Sequence, residues 1–216
     1  MPLQNRVSPF GEIVATAHRG HFTGNRGIIH DPATKTLLNR RWSSKAWITC
    51  VCEFRGRRRK VMSRRSWTEL FFLDEATAFA AGHRPCFECR RRDAVRFAQL
   101  WGRVHGAGEA PSAPQMDRVL HGERLTMDGG KATWAARVGD LPPGTMVKPR
   151  DDAGETFYLV HASGLLLWSF DGYATATDLP ADTRVAVLTP PSIVALFSAG
   201  YVPMLHASAD THSSAR

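Results

Sequence analysis

Four cysteines come in two pairs, Cys50 and Cys52 in "KAWITCVCEF" and Cys86 and Cys89 in "AGHRPCFECRRR". Thiol pairs from two separate chain segments are the usual way to build a tetrahedral zinc site. A C-x-x-C turn lets both sulfurs point inward. On a strand, residues i and i+2 share a face, so Cys50 and Cys52 can turn to the same ion. The expected cofactor is one zinc ion (Zn2+) held by Cys50, Cys52, Cys86 and Cys89, with His30 or His83 as the fourth ligand should Cys52 face away. Thiolates on zinc carry excess negative charge, and guanidinium groups beside them would offset it. The competing reading is two buried thiols on a strand and two incidental ones in a turn.

The cysteines lie in a strongly basic stretch. The chain carries a net charge of +8, and residues 40–103 alone hold 16 Lys or Arg against 6 Asp or Glu. A field of that sign favours polyanions, nucleic acid first. Arg55, Arg57, Arg58, Arg59 and Lys60 are nearly consecutive, Arg64 and Arg65 follow, and Arg90, Arg91 and Arg92 trail the second thiol pair. All ten are candidate phosphate contacts, and a solvated basic face without a partner is the plain alternative. Trp42, Trp47 and Trp67 flank the run. They could stack on bases, although tryptophans at strand ends more often fill a core.

Two further constellations could do chemistry. "MDRVLHGERL" places Asp117, His121 and Arg124 on one helical face, with Glu123 beside them. An Asp–His pair at that spacing could orient an imidazole for general-base work, making His121, Glu123 and Asp117 the candidate catalytic set of a nuclease or other hydrolase. A surface pair is the simpler reading. "TGNRGIIHD" offers Asn25, Arg26, His30 and Asp31 between glycines that permit a tight turn or a close phosphate. If the protein is an enzyme, the place to look is where this loop meets the His121 helix. "PCFEC" also matches half of the zinc deaminase signature, but the required upstream glutamate is out of frame at Glu53.

These residues need elements to hold them. "KAWITCVCEF" and "WTELFFL" read as two strands forming a hairpin around the basic turn. Asp74 is placed to cap a short helix, "EATAFAA", which Gly82 and Pro85 end. "RDAVRFAQLWGRV" and "PQMDRVLHGERL" have helical apolar spacing. "GTMVKPR", "TFYLVHA", "GLLLWSF" and "RVAVLTP" read as four strands, and "SIVALFSAGYVP" as a last helix. The expectation is an α+β protein in five parts. These are a loop-rich segment 1–40, a zinc module 41–104, a linker with a short helix 105–145, a β-rich module 146–205 and a disordered tail 206–216.

The stretch "FFLDEATAFAAGHRPCFECRRR" resembles the zinc-binding domain of the Ada family of DNA alkylation-response proteins. That domain ends in a hydrophobic strand, an alanine-rich helix and A-A-G-[FYH]-R-P-C-x-x-C. The likeness covers about residues 46–92 and is closest from Phe71 to Arg90; the family's first thiol pair is spaced C-x-x-x-C where this chain has C-x-C. Neither a helix-turn-helix nor the family's P-C-H-R active-site motif is present, so the resemblance is to the zinc module alone. It implies a central Ada-like module, contact with nucleic acid (DNA before RNA) and a role in repair or processing. It also implies that Cys50 is the position of a zinc thiolate able to accept a methyl group. A zinc-stapled module for an acidic protein partner is the third class of function. The longest apolar runs, "ELFFL" and "GLLLW", are far short of a membrane helix. The absence of an apolar signal region places the expected protein in the cytoplasm.

Overall fold

The computed structural model describes residues 1–56, 60–64, 66–106, 108–150, 156–175 and 179–212. Arg57, Arg58, Arg59 and Arg65 lie outside the described residues. The first sheet contains β1 (Gln4–Val7), β2 (Ile13–Ala15), β3 (Phe22–Asn25), β4 (Ile48–Val51), β5 (Leu70–Phe72) and β6 (Arg84–Pro85), in the order β2-β1-β5-β3-β4-β6. Its two faces follow from strand alternation. Phe22 is opposite Phe72, and both point with Val7, Leu70 and Ile13 into a core closed by Ala78 and Ala81. Thr23 is opposite Cys50 on one side and Phe71 on the other, so these three share the opposite face.

That order corrects the expected hairpin. β3 lies between β4 and β5 and pairs antiparallel with both, so β4 and β5 run in the same direction. The chain joining them must therefore cross the sheet instead of turning back on itself. The strand signals were read correctly, but their pairing is decided by a segment earlier in the chain.

Asp74 starts α1 (Glu75–Ala80), its carboxylate accepting the Thr77 N–H at 2.8 Å, and Gly82 follows the helix with φ of +84°. Every residue of α1 is buried. Its alanines let two sheets approach it. Ala78 meets the first sheet, while Ala76 and Ala80 meet Met146, Leu159, Leu166 and Trp168 of the second. Phe79 points into a third cluster, with Phe97 and Trp101 of α2 (Arg91–Val104), Met116 and Leu120 of α3 (Ala113–Arg124), and Ile193 and Leu196 of α4 (Pro191–Ser198).

The second sheet is antiparallel throughout. It contains β7 (Trp134–Arg137), β8 (Met146–Pro149), β9 (Tyr158–His161), β10 (Gly164–Ser169), β11 (Gly172–Thr175) and β12 (Arg184–Val187), in the order β11-β10-β9-β8-β12-β7. Mixed α and β content with segregated sheets agrees with the expected class.

The expected boundaries do not follow the sheets. The first sheet spans both sides of position 40, and β7 comes from the supposed linker yet pairs with β12 along four residues. The tail is ordered further than expected: Ala207–His212 forms a 3-10 helix and Ala209 is fully buried against Tyr173 and Trp168. The reason lies in α1. Asp74 also accepts from the Tyr173 hydroxyl (2.7 Å) and the His206 N–H (3.2 Å), and Glu75 from the Tyr201 hydroxyl (3.0 Å) and the Met204 N–H (2.9 Å). Two buried carboxylates thus hold residues 201–206, an attachment no local pattern in the tail reveals.

Candidate metal centre

Three of the four cysteines meet. Cys50 sits on β4. β6 pairs parallel to β4, its frame set by the Arg84 N–H on the Trp47 carbonyl and the Cys86 N–H on the Thr49 carbonyl, each 3.0 Å. This puts Cys86 beside Cys50 at the sheet margin. A turn closed by the Arg90 N–H on the Cys86 carbonyl (3.0 Å) then returns Cys89 to the same point. The Sγ atoms of Cys50, Cys86 and Cys89 all lie within 4.8 Å of one another, and they form the one such group of potential metal ligands among the described residues. In a tetrahedral zinc–thiolate site the sulfurs are about 3.8 Å apart, given Zn–S bonds near ~2.3 Å. The three thiols could hold a metal ion with little movement.

Local electrostatics favour a thiolate at Cys86. Hydrogen bonds from Cys50 and Cys89, with backbone N–H groups of Cys89 and Glu88, pull its thiol far down, while the hydrogen bond to Cys86 and burial push Cys50 up. The Glu88 N–H lies 3.4 Å from the Cys86 sulfur.

Cys52 is not in the cluster. β4 ends at Val51, so the alternation that would return residue 52 to the Cys50 face stops one residue early. The Cys52 thiol instead donates to the carbonyls of His21 (3.4 Å) and Gly20 (3.8 Å). Neither histidine takes its place. His83 is fully buried, its Nε2 accepting from Arg26 at 3.3 Å, and His30 Nδ1 pairs with Thr68 Oγ1 at 2.7 Å. The three-thiol site faces a cavity of about 160 Å³ lined also by Thr23, Phe71, Cys52, Phe54 and Trp67. Part of that lining comes from the chain crossing between β4 and β5, which carries the basic run.

The candidate phosphate contacts divide. Arg55, Lys60, Arg64, Arg91 and Arg92 are exposed. Arg90 is not available: its guanidinium is buried, 2.6 Å from Glu75 and 2.9 Å from Asp93. Arg6, from far upstream, also reaches this face: its guanidinium sits 4.8 Å from the Phe71 ring and donates to the His18 carbonyl, and the charge of Arg19 bears on it. Trp47 is a core residue, whereas Trp42 and Trp67 are 36% and 38% exposed.

The proposed hydrolytic set does not assemble. Asp117 is buried and accepts from Nε and Nη2 of the Arg84 guanidinium, at 2.8 and 2.7 Å. Glu123 points elsewhere, accepting from the Ser192 N–H (3.2 Å) and hydroxyl (2.6 Å) at the start of α4. His121 receives Arg124 Nη2 at 3.1 Å and packs edge-on to Trp42. Each carboxylate has a structural task, and adjacent helix positions diverge by about 100°.

Compared with protein-family models, with curated proteins and with solved structures, the chain matches none.

Proposed function

We propose that this chain is a zinc-containing nucleic-acid-binding protein, with Cys50, Cys86 and Cys89 as the metal ligands and the basic crossover as the phosphate-binding surface. The observation that carries the reading is the meeting of three thiols at the wall of a cavity along which that crossover runs. An all-sulfur donor set selects soft or borderline ions, zinc foremost. Bound zinc would hold the sulfurs as thiolates and leave one coordination position on the cavity side. Arg55, Lys60 and Arg64 on the crossover and Arg91 and Arg92 just after Cys89 supply exposed positive charge. The Ada-type resemblance points the same way, to DNA before RNA and to repair or processing.

The test pairs metal analysis with binding. Protein purified without chelator should carry one zinc per chain. Affinity for a short duplex should fall with salt at a log–log slope of about −0.9 per phosphate contact. No binding at low salt removes nucleic acid as the partner.

A second reading, a metal-dependent nuclease or other hydrolase, is favoured by one feature: three protein ligands with an open position toward a cavity are the pattern of catalytic zinc sites. Cleavage of duplex or single strands that chelator abolishes would establish it.

A further inference from the structure

On the inner side of the first sheet lies a larger cavity, about 420 Å³, lined by Arg26, Arg41, Arg124, Lys131, Trp42 and Trp47 among others. It forms where the "GNRG" loop meets α3. The Arg26 and Arg124 side chains are 2% and 1% exposed, and their guanidinium carbons lie 4.0 and 3.9 Å from the Trp47 ring centroid. Arg124 crosses Gly82, donating to its carbonyl at 2.9 Å; a Cβ there would come within 2.6 Å of the Arg124 chain, which together with the positive φ requires glycine. Lys131 reaches in from the "DGGK" turn to the Ala80 carbonyl.

Counter-charge around this cluster is sparse. Glu12 is the only carboxylate in the lining among the described residues, and it is exposed. The nearby Asp117 forms its ion pair with Arg84 and also bears on Arg124 by its charge. His83 adds no negative charge, and burial with the charges of Arg26 and Arg124 keeps it neutral. Burial, with the charges of Arg26 and Arg124, pulls Lys131 down to about 7. The other nitrogens of both arginines are engaged, Arg26 by His83 and the Gly11 carbonyl and Arg124 by the Gly82 and Lys45 carbonyls, but among the described residues Arg26 Nη2, Arg124 Nε and Trp47 Nε1 are buried without an acceptor. Buried donors normally find partners, and buried cations are normally paired.

We propose that this cavity binds a small phosphate monoester with a flat apolar group, of the nucleoside monophosphate class. Its phosphate is met by Arg26, Arg124 and Lys131, and its flat part by Trp42. Guanidinium forks match phosphate oxygens in geometry and charge. The volume is that of a small-molecule site, and Gly11, Gly129 and Gly130 in the lining permit close approach. Trp42 is partly exposed and offers an aromatic ring at the cavity.

The test is thermal melting and calorimetric titration of the whole chain with adenosine monophosphate, inorganic phosphate and adenosine. At about 5 mM, the monophosphate should raise the melting temperature by several degrees and adenosine should leave it unchanged. Lys131→Met should weaken the monophosphate about tenfold or more. Trp42→Ala, a change at a partly exposed position, should weaken the monophosphate but not inorganic phosphate. Arg26→Met is a stricter variant, and because it can unfold the chain, the other two keep the test decisive. Absence of any shift with the monophosphate, or unchanged affinity in Lys131→Met, overturns the proposal. A 5′-phosphorylated oligonucleotide that binds more tightly than the monophosphate, with the same dependence on Lys131, overturns the small-molecule assignment.

Discussion

Cys50 and Cys52 are separated by one residue and do different things. Cys50 faces Cys86 and Cys89, while Cys52 donates to backbone carbonyls of the segment before β3. Cys52→Ser should therefore retain a full equivalent of zinc, whereas Cys50→Ser, Cys86→Ser or Cys89→Ser should lower the stoichiometry measured by elemental analysis. Equal loss in all four would return Cys52 to the ligand set. The second thiol pair was readable because a C-x-x-C turn fixes its own geometry. The first was only half readable, because the end of a strand decides where residue i+2 points. The same limit applies to Asp117 and Glu123: spacing shows which side chains share a helix face but not which distant groups claim them. Asp117→Asn removes one partner of a buried ion pair and should cost about 3–5 kcal/mol, measured by denaturant titration, with no separate catalytic signature.

At the scale of elements, α1 carries most of the organisation. Asp74 was legible as a cap, since a small polar residue followed by an alanine-rich run has few other local meanings. That the same carboxylate also holds Tyr173 and the His206 N–H was not, because those partners are 99 and 132 residues away. Asp74→Ala loses the cap and the acceptor shared by the Tyr173 hydroxyl and the His206 N–H, so it should destabilise by about 2–4 kcal/mol. Asp74→Asn, which keeps an acceptor, should cost less; equal losses would show that charge, not hydrogen bonding, matters there. Hairpin topology failed at this scale for a related reason. Two adjacent strands with a turn between them usually pair, but β3, from a segment whose composition says loop, hydrogen-bonds along both.

For the whole molecule, the shared core replaces the expected chain of modules. Leu73, Ala76 and Ala80 are buried among residues of the second sheet, and Phe79 among three other helices. Unfolding should thus be one transition by far-ultraviolet and tryptophan signals alike, and limited proteolysis should not release an intact fragment beginning near 146. Stability should also depend on pH through Lys131. A base whose folded pKa is about 7, against 10.5 unfolded, holds its proton less tightly when folded. The unfolded chain then binds more protons between those values, so this group's penalty is fully present below about pH 7 and fades as pH rises toward 10.5. In phosphate-free buffer the urea midpoint should climb across that window, and Lys131→Met should flatten the rise. A last consequence follows from β6. It is two residues long, contains Pro85, and terminates the sheet next to β4. Without it, β4 would present an open row of amides and carbonyls, a template on which other chains could add strands. Cys86 and Cys89 follow this short strap directly, so a zinc ion held as proposed would pin it and guard against fibre-like self-association: the metal-free chain would then fail by growth through strand addition at β4 rather than by simple loss of fold.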